Sequence, residues 1–84
     1  MKTLMILGAS VLQLPAVIKA KEMGNRVVVV DRDKSAVAIA YADLFENIST
    51  LDIDRVREAA KKHCIDGIMT LASDMPMRTV AKVS

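Results

Sequence analysis

An apolar run from Leu4 to Leu7 ends at Gly8, and a second run, the four valines Val27 to Val30, ends at Asp31. The runs are too far apart for a hairpin, and the stretch between them has helical spacing, which reads as strand, helix, strand with parallel pairing. Parallel strands are covered by helices on both faces, and their ligands sit beyond the carboxyl ends of the strands. Gly8 to Leu12 and Asp31 to Asp33 are therefore expected on one functional rim.

Followed in order, Thr3 to Leu7 is the first strand, apolar enough to be central. Pro15 is tolerated only in the first turn of a helix, where amide hydrogens have no partner, so the helix begins near Leu12 or Gln13 and Gly8 to Val11 is a loop. Its inner face is predicted to carry Ala16, Val17, Ala20 and Met23, and Gly24 to be its left-handed stop. Arg26 to Val30 is too β-branched for a comfortable helix and is the second strand.

Asp33 or Ser35 is expected to cap a short alanine-rich helix over about Lys34 to Tyr41. Leu44 to Ile48, interrupted by Glu46 and Asn47, is a third strand suited to a sheet edge. Asp52 and Asp54 open the next helix and Lys61, Lys62 and His63 close it, matching both ends of the helix dipole. Its inner stripe is Ile53, Val56 and Ala60, extended by Cys64. Asp66 and Gly67 turn into a fourth strand, Gly67 to Leu71, whose polar end, Ser73 and Asp74, precedes a helix with Pro76 in its first turn. The right-handed crossover rule gives an α/β three-layer domain with a four-stranded parallel sheet in the order 3-2-1-4. Val80 and Val83 have nothing after them to pack against, so the domain over 1–84 is expected to be C-terminally truncated.

Composition excludes several functions. Twelve basic and ten acidic residues are interspersed, giving a net charge of +2 without the basic stripe of a nucleic-acid binder. A single cysteine rules out an internal disulfide and suits a reducing compartment. No apolar run approaches the ~18 residues of a membrane span, and the N-terminus lacks a signal-peptide pattern. The expected location is cytoplasmic, with neither membrane nor nucleic acid as partner. No carboxylate pair, nucleophile triad or metal cluster stands out.

The loop GASVLQ matches the dinucleotide pattern G-x-G-x-x-G only at Gly8; Ser10 and Gln13 stand at the second and third glycine positions. Ser10 adds a side chain where a pyrophosphate would approach, though its hydroxyl could itself meet a carboxylate or phosphate. The loop is either a ligand contact or a tight turn. Asp31 lies roughly 20 residues beyond it, where a ribose-binding acid would stand, but an aspartate after a strand more often caps a turn. Ser73 and Asp74 share that ambiguity. His63 reads as an exposed helix cap and Cys64 as a small buried hydrophobe.

The phrases GASVLQLPAVIKAKEMGNRVVVVDRDKSAVAIAYAD, ISTLD and KKHCIDGIMTLASDMP, in that order, resemble the N-terminal domain of the ATP-grasp superfamily, in the flavour of the carbamoyl-phosphate synthase large subunit. The resemblance covers essentially the whole chain. It implies a Rossmann-like domain of a ligase that uses ATP and Mg2+ to convert a carboxylate or bicarbonate to an acyl phosphate, which an amine or ammonia attacks. ATP and metal would be held by downstream ATP-grasp domains, so neither is expected on this fragment, which alone would be inactive. Its loops would wall the pocket for a small carboxylate or amine, with Gly8, Ser10, Leu12, Asp31, Asp33, Ser73 and Asp74 as the substrate-binding candidates. The exposed sheet edge implies a route to a homo-oligomer. The alternative is an NAD(H)-binding or other nucleotide-binding regulatory domain, suggested by Gly8 and Asp31.

Overall fold

A computed structural model describes residues 1–69. Strands β1 (Thr3–Leu7), β2 (Arg26–Val30), β3 (Leu44–Glu46) and β4 (Gly67–Met69) form one sheet in the order β3-β2-β1-β4. All three pairings are parallel, with Leu4 opposite both Val27 and Gly67 and Val29 opposite Phe45. Helix α1 (Leu14–Glu22) connects β1 to β2, and α2 (Ile53–His63) connects β3 to β4. The expected fold class, strand order and edge placement of the third strand all hold. No helix among the described residues is long and apolar enough to cross a membrane.

Alternation along the strands divides the core in two. Met5, Leu7, Val28 and Val30 face Val56, Ala59 and Ala60 of α2, while Ile6, Val27 and Val29 face Val17 and Ala20 of α1. The strand residues in both sets are fully buried. This explains why the runs are continuously apolar: both faces of the central strands are covered.

One device sets the register of both edge strands. Asp66, just before β4, donates its N–H to the Thr3 carbonyl at 2.7 Å while its carboxylate accepts the Thr3 N–H at 2.8 Å. Asp43, just before β3, does the same to Val27, at 3.0 and 2.8 Å. Lys21 of α1 closes on Asp43 at 2.5 Å. That ion pair, then the Val27 N–H, hold the Asp43 carboxyl below its usual range.

Several local expectations are corrected. The segment after β2 is a 3-10 helix over Val37–Tyr41, not an α-helix from Lys34. Asp33 captures the Ser35 N–H with its carboxylate and the Ala36 N–H with its carbonyl. Ala38 then donates to the Ala9 carbonyl at 2.8 Å, outside any helical ladder. Helix α1 starts later than expected, at Leu14, with Pro15 in its first turn. Met23 lies past its end and is 69% exposed, while Gly24 takes the expected left-handed stop at φ +85°.

Strand β3 ends at Glu46, because Ile48 turns back to donate to the Glu46 carbonyl. Cys64 is exposed rather than buried: it is the left-handed end of α2, at φ 53°, and Ile65 packs against the core beyond it. His63 is not an exposed cap. Its side chain is only 12% exposed, with Nε2 2.5 Å from Glu46 Oε2. Residues Leu71, Ser73, Asp74 and Pro76 lie outside the described residues, as does the last expected helix.

Candidate functional site

The carboxyl ends of β1 and β2 deliver two turns to one rim. Gly8 ends β1 at φ +99°, a left-handed conformation that glycine alone adopts without strain, and its N–H donates to the Val30 carbonyl at 2.7 Å. The chain then rises through Ala9 to Gln13 before α1 begins. On the neighbouring strand, Asp31 Oδ2 accepts the Ala9 N–H at 2.9 Å and Oδ1 accepts the Asp33 N–H at 2.9 Å. Asp31 therefore staples the first loop to the second and shapes its own turn. Of the two readings of this residue the structure shows the turn cap, placed on the rim.

Gly8, Ser10, Asp31 and Asp33 are thus brought together through Asp31. Leu12 belongs to the same loop and is 64% exposed. Its N–H donates to Ser10 Oγ at 3.2 Å, so Leu12 contributes a backbone contact and an exposed apolar side chain. Asp33 is exposed, and one carboxylate oxygen is engaged with Ser35.

Two residues of the rim were not singled out as site candidates from the sequence. Gln13 is 2% exposed, and its Oε1 accepts both the Ser10 N–H at 3.0 Å and the Ser10 hydroxyl at 2.5 Å. Asn47, just past β3, donates from Nδ2 to the Asp31 and Arg32 carbonyls, each at 3.0 Å, which holds the second turn from the side. The available signal was an amide side chain next to an apolar run at the carboxyl end of a strand or the start of a helix, where a polar group must find a partner.

The rim is rich in oxygen acceptors and short of free donors. The N–H groups of Gly8, Ala9, Ser10, Leu12 and Gln13 all donate within the protein. Val11 is 67% exposed, and its N–H takes no partner within the loop. Among the described residues no grouping of three or more His, Cys, Asp or Glu could hold a metal ion. What the loop can offer a ligand is the Val11 N–H, the exposed Leu12 and one remaining lone pair of the Ser10 hydroxyl, whose proton is given to Gln13.

Away from the rim chemistry, Glu46 at the end of β3 meets His63 and Lys62 at the end of α2. The His63 contact foremost, then Lys62, pull the Glu46 carboxyl below its ordinary value against the opposing effect of burial.

No protein-family model matches the chain. It is 37% identical over 68 residues to the formate-dependent phosphoribosylglycinamide formyltransferase of Synechocystis sp., an alignment covering 81% of this chain and 17% of that protein. Its fold superposes on phosphoribosylglycinamide synthetase from Anaerococcus prevotii with a TM-score of 0.87 and 27% identity, over 98% of this chain and 21% of that one. An ADP complex of an N5-carboxyaminoimidazole ribonucleotide synthetase matches with a TM-score of 0.81 and 25% identity, over 95% of this chain and 21% of that one. The chain spans about a fifth of the length of these proteins.

Proposed function

We propose that this chain is the N-terminal, substrate-side domain of an ATP-dependent ligase that activates a small carboxylate as an acyl phosphate and passes the acyl group to an amine. The observation that carries the reading is the similarity to a formate-dependent formyltransferase together with the near-complete superposition on two synthetases. These relatives favour formate or a similarly small acid, and a phosphoribosylated amine as acceptor, over the carbamoyl-phosphate synthase flavour of the resemblance. The ADP in one neighbour supports ATP as the energy source.

In that chemistry a carboxylate oxygen attacks the γ-phosphorus of ATP, and ADP leaves. The amine then attacks the acyl carbon, phosphate leaves, and the amine gives up a proton. The residues of this chain bind and orient. Val11 offers its N–H to a substrate oxygen and Ser10 the remaining lone pair of its hydroxyl to a substrate donor such as the amine, while Gly8, Asp31 and Asp33 hold the two turns in place and Leu12 shields one side. Ser73 and Asp74 join this wall on the strength of the resemblance. Nucleotide and Mg2+ would be held by further, ATP-binding domains of the parent, where the metal would offset charge on the transferred phosphate. A cytoplasmic location accompanies this reading.

The test is turnover by the full-length parent with ATP, formate and a phosphoribosylated amine. ADP release that requires both co-substrates is expected, and Ser10→Ala should raise KM for a substrate more than it lowers kcat. A parent that consumes no ATP with any carboxylate and amine, or whose remaining sequence holds no ATP-binding domain, overturns the reading.

A further inference from the structure

We propose that Gln13 is a specificity-determining residue, a carboxamide plug that shuts this β1–α1 loop to dinucleotides and diphosphates. The inference goes beyond the ligase reading, since it concerns which ligands the loop excludes and holds whatever reaction the rim serves.

A loop of the G-x-G-x-x-G kind accepts a pyrophosphate because backbone N–H groups point outward and no side chain fills the hollow they surround. Here the first glycine keeps its conformation, but the hollow is occupied. A Cβ built on Gly8 would lie 2.9 Å from Gln13 Cδ, 3.1 Å from Oε1 and 3.2 Å from Nε2, so the carboxamide rests directly on the glycine. Its oxygen takes both the Ser10 N–H and the Ser10 hydroxyl. Ser10 Oγ in turn accepts the Leu12 N–H, and the Gln13 N–H returns to the Ser10 carbonyl at 3.0 Å.

Gln13 therefore serves as an internal stand-in for the anion. Its Oε1 sits where a phosphate oxygen would accept, at the position that a third glycine would leave empty. Asp31 contributes to the exclusion, since each of its oxygens already accepts a backbone N–H and the carboxylate is less available to a ribose diol. A diphosphate entering the loop would have to expel a buried, hydrogen-bonded carboxamide, and the displaced amide would gain nothing by the exchange. A single small acid group meeting the Val11 N–H displaces nothing, because that N–H is uncommitted while the Ser10 hydroxyl proton stays on Gln13.

The experiment uses the full 84-residue chain. ADP-ribose and NADH are titrated calorimetrically into the wild type, Gln13→Gly, and the double variant Ser10→Gly/Gln13→Gly. Glycine is a good residue at the start of a helix, so neither replacement removes a needed cap. Affinity for ADP-ribose should rise by about tenfold or more in Gln13→Gly, the effect of about one hydrogen-bonded obstacle, and further in the double variant. Equal affinity in the wild type and a folded double variant overturns the proposal. Amide exchange on the wild type decides independently of how the variants fold. The Ser10 N–H should exchange at least about tenfold more slowly than that of Val11; equal rates mean that the plug is absent and also overturn it.

Discussion

The Ala9 N–H donates to Asp31 Oδ2 at 2.9 Å across 22 residues of sequence, joining the loop after β1 to the end of β2. Two turns that could each have moved separately are thereby one surface, and the positions of Gly8 and Ser10 depend on a side chain from the next strand. Because the acceptor is a carboxylate, each bond it makes is stronger than a neutral one. Asp31→Ala should therefore destabilise the chain by about 1–3 kcal/mol. Asp31→Asn, which keeps one acceptor oxygen, should fall between. The midpoint of urea unfolding at unchanged slope is the measurement; an Asp31→Ala midpoint equal to the wild type would show that the staple carries no stability.

Gly8 is constrained twice, by its positive φ and by the carboxamide of Gln13 above it. Replacement by alanine places a methyl group in strained backbone and in contact with Gln13, at a cost of about 2 kcal/mol. Thermal unfolding of Gly8→Ala should show a clear drop in Tm. If shape at Gly8 is what matters, Gly8→Ala/Gln13→Ala should recover part of the loss by removing the contact while leaving the backbone strain.

Asp43 and Asp66 pin the edge strands by the same pair of hydrogen bonds. Asp66→Ala should raise amide exchange along β4 before it affects β2, and Asp43→Ala should do so along β3. Each substitution should lower global stability by about 1–2 kcal/mol, because a charge-assisted bond to a backbone N–H is lost. Uniform exchange changes across the sheet would mean that register is held elsewhere.

Glu46 ties the end of β3 to the end of α2 through His63 and Lys62. Its folded carboxyl titrates below its unfolded value, as does that of Asp43. Groups of this kind stabilise the fold above the unfolded value, which is about 4.3 for glutamate, and the contribution disappears as pH falls through the lower folded value. Urea midpoints should therefore decline from about pH 5 downward, and Glu46→Gln should flatten that decline. An unchanged slope in Glu46→Gln would assign the acid sensitivity to other groups.

The strands were readable because their signal is local. Four adjacent valines exclude a comfortable helix, and continuous rather than alternating apolar runs identify a sheet covered on both faces. Helix ends at Gly24 and Asp52 were readable for the same reason, since each is set by residues within one turn. Two of the errors originate in partners distant along the chain. Ala38 leaves a helical pattern to meet Ala9, and His63 leaves solvent to meet Glu46. Cys64 turns outward because its backbone carries the left-handed stop of α2.

The order of residues along the chain was enough to specify a parallel sheet, its strand order and the rim on which its loops gather, because periodicity, chirality and the reach of short connections admit few other solutions. Which side chains occupy that rim required three-dimensional packing. Gln13 over Gly8, Asp31 on Ala9 and Asn47 beneath the second turn are hydrogen-bond matches made after the strands are in register, and a polar side chain's partner is selected by geometry rather than by neighbours in sequence.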